Sequence, residues 1–242
     1  MTGRCVLALV LFASLCGCDR LPGRPDAGST PQRPSQIIDF DVLYTENCSG
    51  CHGDARRPGA AVALADPIYL AFADDATLRR VTTRGVPGTA MPAFARSAGG
   101  TLSDEQIAVL VNGMRARWAD PEMLEGAVPP PYAAQPGDAT RGAQTYANRC
   151  ANCHGVTGTG GESGGSIVDG SYLALVSEQA LRTAVVVGRQ SLGMPDWRGG
   201  APGQPLSARD VDDLVAWLIA QRPEFPGQPY PEVPTTKGAS DG

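Results

Sequence analysis

The sequence predicts an all-α protein built as two tandem helical units. Three observations carry that expectation. Apolar residues recur at helical spacing in two places about a hundred positions apart, Ile107, Leu110, Val111 and Met114, then Val211, Leu214, Val215 and Leu218, each set following i, i+3, i+4, i+7. Landmarks upstream of each stretch repeat at a nearly constant offset, the mark of an internal duplication. Alternating apolar runs that would make half-buried strands are absent.

The repeat can be followed element by element. Tyr44 and Tyr146 open it at an offset of 102, each ahead of a cysteine cluster. At an offset of 103, Asp66-Pro-Ile-Tyr69-Leu70 aligns with Asp169-Gly-Ser-Tyr172-Leu173, Leu78-Arg79 with Leu181-Arg182, Gly85 with Gly188, and Met91-Pro92 with Met194-Pro195. Leu102-Ser103 and Leu206-Ser207 then match at 104. Asp138 is placed to cap a helix running to Cys150, while Ser103 with Gln106 and Ser207 with Asp210 have the capping-box form or its acidic variant. Middle helices are predicted over 75–84 and 177–187, ended by Gly85 and Gly188. The units are placed at 37–125 and 138–223, with a Pro-rich linker over 126–137 read as a semi-rigid spacer. Units of roughly 85 residues are near the size at which a protein core alone is marginal, so a buried prosthetic group would add apolar surface.

Composition excludes several classes. Hydrophobic residues at 42% with 19% charged indicate a globular chain, and 30 Gly with 21 Pro imply long loops. A net charge of −5 without any basic cluster argues against nucleic acid as a partner, because phosphate contacts need grouped Lys and Arg.

The seven cysteines stand at 5, 16, 18, 48, 51, 150 and 153, and the two histidines each directly follow a Cys-x-x-Cys pair. Cys48-Ser-Gly-Cys51-His52 and Cys150-Ala-Asn-Cys153-His154 match the c-type haem attachment pattern: two thiols bond the macrocycle and the adjacent imidazole binds its iron. Composition alone predicts about 0.002 such matches in a chain of this length. Two matches that use every histidine are therefore not accidental. A single Cys₄ zinc site would leave both histidines unexplained. A thioredoxin-like pair needs a βαβ setting, and disulfides three residues apart would close loops too short to stabilise much.

The N-terminus carries Arg4, an apolar run from Cys5 to Leu15, and then Leu15-Cys16-Gly17-Cys18. That run is too short to cross a bilayer core of about 30 Å, so residues 1–17 are read as a signal peptide. The ending looks like a lipobox, which makes Cys18 a lipid anchor, with ordinary secretory cleavage as the other reading. Residues 18–36, with prolines at 22, 25, 31 and 34, are read as a flexible tether. The Pro-rich tail over 224–242 is expected to be disordered.

With these motifs in place, each half resembles a class I cytochrome c domain, and the whole resembles membrane-anchored dihaem cytochromes c of bacterial respiratory chains. The resemblance implies two haem c groups, bonded through Cys48 and Cys51 and through Cys150 and Cys153. It implies axial iron ligation by His52 with Met91 and by His154 with Met194. It also implies that the helix before each haem crosses the C-terminal helix, with Gly142 and Tyr146 against Leu214, Trp217 and Leu218, and Tyr44 against Leu110 and Gly113. Phe94 and Trp197 would wall the haem crevices. Tyr69, Tyr172, Arg79 and Arg182 are candidates for propionate contacts, with core or solvated-face roles equally open. The proline carbonyl that often accepts from the haem histidine has candidates in Pro58 and Pro67, but the second half has no proline between His154 and Pro195.

The function implied is electron transfer, not catalysis. Two haems with both axial positions filled would relay single electrons between a quinol-oxidising complex, either as its subunit or as a tethered shuttle, and an acceptor such as a terminal oxidase or soluble cytochrome. No small-molecule substrate is expected. The expected place is the periplasmic side of the bacterial membrane, through the Cys18 lipid. An electron-transfer subunit of a periplasmic dehydrogenase, or a dihaem peroxidase-like enzyme, is the alternative.

Overall fold

The computed structural model describes residues 32–199 and 204–224. The expected signal peptide, Cys18, most of the tether and the tail beyond residue 224 lie outside the described residues. The chain divides into a unit ending at Ile37 and a second unit beginning at Ile38. The described part of the first unit holds a 3₁₀ turn, Pro34–Gln36.

In the first half, α1 (Phe40–Asn47) begins at Asp39, whose side chain accepts from the Val42 amide, and buries Phe40, Leu43 and Tyr44 on one face. A single turn, α2 (Ser49–His52), ends at Gly53 with φ 69°. Next come α3 (Pro67–Phe72), capped by Asp66, α4 (Asp75–Arg84), capped by Asp74, and α5 (Asp104–Trp118), whose Ser103/Gln106 capping box is complete. The second half repeats the series: α6 (Ala139–Arg149) capped by Asp138, α7 (Ala151–His154), α8 (Gly170–Leu175) capped by Asp169, α9 (Glu178–Val187) capped by Ser177, and α10 (Ala208–Ala220) with the Ser207/Asp210 box. The described residues contain only isolated β-bridges and no strand, so the fold is all-α as expected. Among the described residues no helix is long and apolar enough to cross a membrane.

Each half packs its first helix across its last. The Phe40 ring stacks near Tyr44 and meets Trp118 edge-on, with centroids 5.6 and 5.5 Å away, and Gly113 of α5 leaves the room for it. In the second half the roles exchange: Gly142 of α6 lies against the Asp213 backbone and Trp217 Cβ, and Trp217 stacks on Tyr146 at 4.2 Å. Arginines then hold the turn after the third helix of each half. Arg115 donates to the carbonyls of Leu70 and Ala73, and Arg222 donates to those of Leu173 and Val176 at 2.9 and 2.6 Å. These turns would otherwise leave carbonyls unpaired at a helix end.

The linker is docked, which a free spacer would not be. Arg182, 1% exposed, pairs with Asp212 at 2.6 Å and donates twice to the Pro131 carbonyl at 3.0 and 2.7 Å. Asp212 also accepts from the Gln135 amide. On the other side the Tyr132 ring lies 5.0 Å from that of Phe72. The linker thus bonds to the second half and stacks on the first.

Candidate functional site

The helix α1 aims Tyr44 at the loop behind the first cysteine cluster, where its hydroxyl donates to the Gly53 carbonyl at 2.8 Å. Tyr146 does the same to Gly155 from α6. In both halves this bond fixes the residue directly after the histidine. Both glycines have positive φ, 69° and 79°, a conformation that costs other residues strain.

Each histidine ring is held from behind by a backbone carbonyl. His52 Nδ1 donates to Val62 at 2.7 Å, and His154 Nδ1 donates to Gly165 at 2.8 Å. A carbonyl only accepts, so Nδ1 carries the proton and the Nε2 lone pair is left for a metal. The acceptor in the first half is therefore Val62, not Pro58 or Pro67. The second half needs no proline because a glycine run brings its own carbonyl close: a Cβ on Gly164 would sit 2.8 Å from His154 Nδ1. Burial pushes the His52 pKa down, and its bond to Val62 partly opposes that shift. Burial also pushes the thiols of Cys48 and Cys150 up to about 11.

Cys48, His52 and Met91 line one cavity of about 730 Å³, walled by apolar groups that include Leu64, Ile68, Leu78, Val81 and Phe94. Its volume is in the range of small-molecule and cofactor sites, about 300–1,000 Å³. Met114 and Met123 also line it. The Met-Pro loops have matching anchors: Val86 N donates to the Met91 carbonyl at 3.0 Å, and Arg189 N to that of Met194 at 2.9 Å. Gly85 and Gly188, at φ 67° and 73°, let these loops pass, since a Cβ there would lie 2.6 Å from the Met91 carbonyl or 2.4 Å from that of Pro195. Trp197 is buried, whereas Phe94 is half-buried at the cavity wall.

Two candidate contacts fall elsewhere. Arg79 is exposed, and Arg182 is committed to Asp212 and Pro131, so its guanidinium serves the linker. Tyr69 is buried and Tyr172 partly exposed, and both line the first cavity.

The donor set fits haem c. Cys48 and Cys51, with Cys150 and Cys153, form no disulfide. Among the described residues no three His, Cys, Asp or Glu side chains converge as a bare-metal site would require. An apolar cavity bearing a thiol, an imidazole with Nε2 unprotonated and a thioether suits an iron macrocycle instead.

Both halves have counterparts among known proteins. Residues 37–112 and 137–218 match the family "Cytochrome C oxidase, cbb3-type, subunit III", one segment for each half. The chain belongs to this family. It is 30% identical to the cbb3-type cytochrome c oxidase subunit CcoP of Azospirillum sp. (strain B510), over 57% of this chain and 47% of that protein. It is 29% identical to the cbb3-type cytochrome c oxidase subunit FixP of Azorhizobium caulinodans, over 73% of this chain and 57% of that protein. The chain thus spans about half the length of the curated relatives it matches.

Proposed function

We propose that the chain is a dihaem electron-transfer subunit that passes single electrons from a quinol-oxidising complex to a terminal oxidase. The observation that carries this reading is the paired site itself: two Cys-x-x-Cys-His turns, each with its tyrosine bond and its carbonyl-fixed imidazole, lie in the two segments matched to an oxidase-subunit family. The names of its relatives favour the oxidase as partner over a dehydrogenase or peroxidase role.

Cys48 and Cys51, and Cys150 and Cys153, would hold haem c through thioether bonds, with His52 and Met91 or His154 and Met194 as axial ligands. Bound haem c supplies a one-electron ferric/ferrous couple. The protein sets the conditions for that couple. Val62 and Gly165 fix the imidazole orientation and raise its donor strength. The Met thioethers favour the reduced state and raise the potential. Apolar walls exclude water, which disfavours the more highly charged ferric state. With His52 and Met91, or His154 and Met194, holding each iron, no ligand position would be left for a substrate, which fits a relay role. Export and a lipid on Cys18 would keep the relay at the periplasmic face of the membrane, and a Cys18→Ala variant should then leave the membrane fraction.

The test mixes the dithionite-reduced, desalted protein with a purified cbb3-type oxidase and oxygen. Reoxidation at a rate that scales with oxidase concentration is expected. Peroxide turnover at enzymatic rates, or unchanged quinol-dependent oxygen consumption after deleting the gene in a strain without other carriers, would overturn the reading.

A further inference from the structure

The cavity that holds Cys48, His52 and Met91 is not built by the first half alone. Part of its wall comes from the second half, from Val176, Gln179, Ala180, Thr183 and Val187 at α9 and its approach. These residues lie at i, i+3, i+4, i+7 and i+11, one face of a helix, and that face is turned to the first half. Gln179 has a further feature: its Nε2 is buried without a hydrogen-bond partner. A buried amide donor left unpaired costs free energy, so it is retained where something else can accept from it. Of the groups that haem c would bring into this cavity, the propionate carboxylates are the strong acceptors. Ser177, the N-cap of α9, lines the same cavity, so the positive end of the helix faces it as well.

We propose that the first haem site is composite: the α9 face of the second half closes the cavity around the first haem, and Gln179 is a positioning residue for it. This rests on the proposed haem-binding function. Its consequence is that the potential of the first haem is set from the second half. The same helix ends at Gly188 and runs into the Met194 loop, where Arg189 bonds Met194 in both directions. One helix therefore touches the first cavity on its face and the distal loop of the second site at its end.

The experiment is a spectroelectrochemical redox titration of the full haem-loaded protein with Gln179→Glu, Gln179→Leu and Ala180→Glu. A Met194→His background identifies the component belonging to the second haem, whose potential falls with bis-imidazole ligation. Gln179→Glu is isosteric and introduces an anion that stabilises ferric iron. It should lower the potential of the first haem and leave that of the second unchanged, with Ala180→Glu acting in the same direction. Gln179→Leu should shift the resonance Raman propionate band of one haem. Leu175→Glu, at a neighbouring residue that is 83% exposed and does not line the cavity, should change neither potential. The inference is overturned if both glutamates at 179 and 180 leave the first potential unmoved, or if Leu175→Glu shifts it equally. Haem content separates the two levels of failure: fewer than two haems per chain overturns the function proposed above, whereas two haems with no shift overturns the composite site alone.

Discussion

The ring of Phe40 fills the space that a Cβ on Gly113 would need, which would place that atom 2.0 Å from Phe40 Cδ2. In the second half the equivalent positions are Gly142 and Trp217, so the large and small partners at the helix crossing have changed places. One small residue per crossing suffices for the helices to approach, and either helix can supply it.

Gly113→Ala should therefore destabilise the protein by about 1–3 kcal/mol through overpacking. Phe40→Leu in the same chain should recover part of that loss, because the obstacle is a side chain that can be trimmed. Gly142→Ala should find no such rescue in Trp217→Leu, since its nearest obstacle is the Asp213 carbonyl oxygen at 1.9 Å, which is backbone. Denaturant unfolding of the two double-mutant cycles measures the difference.

Arg182 and Asp212 are both almost fully enclosed, at 1% and 5% side-chain exposure. Removing one charge strands the other, so Arg182→Leu should cost about 3–5 kcal/mol, and Arg182→Leu with Asp212→Leu should cost less than the single change. The Pro131 carbonyl also loses both of its donors. Limited proteolysis should then cut within 126–137 faster than in the parent.

Asp213 receives hydrogen bonds from Arg141 Nε and Nη2 at 2.7 and 2.9 Å and from the Asp138 amide at 2.7 Å. The Arg141 bonds, with the amide adding to them, hold its carboxyl below the usual carboxylate range against the opposing effect of burial. A carboxylate depressed in the folded state takes up protons more readily when unfolded, so its contribution is full above the unfolded pKa and is lost as pH falls through the folded one. Asp213→Asn should lower Tm at pH 7. The gap from the parent should close as the pH drops below about 4, and a gap that stays constant to pH 2 would contradict the assignment.

Gly164 leaves room for the His154 ring, and Gly165 beside it supplies the carbonyl that takes the Nδ1 proton bond. Gly164→Ala should weaken that bond, make the imidazole a poorer donor and raise the potential of the second haem alone. A redox titration that shows both potentials unchanged would count against Gly165 as the group that tunes it.

What the sequence revealed was what is local. The Cys-x-x-Cys-His turns, the caps at Ser103, Ser207 and Asp138, and the glycines that end α4 and α9 depend on neighbours within a few residues, so spacing suffices to read them. The carbonyls behind His52 and His154 were not legible, because any residue type can present a backbone oxygen. The sequence left Arg182 open between a haem contact and a core role, and the choice is made by Asp212, thirty positions away, and by a linker that the repeat does not include. Arg115 and Arg222 hold equivalent turns from positions that do not align, so the repeat concealed them. The second half's share in the first cavity left no local signal at all.

On the proposed function, each half carries one haem c ligated by histidine and methionine. The most direct measurement combines a pyridine haemochrome assay with the near-infrared sulfur-to-iron band of the oxidised protein, in the parent and in Met91→Ala and Met194→Ala. Two haems per chain are expected, with loss of about half of the band in each variant, because two equivalent thioether ligands each contribute one site. One haem per chain, or a band that survives Met91→Ala because Met114 or Met123 holds the first iron instead, would contradict it.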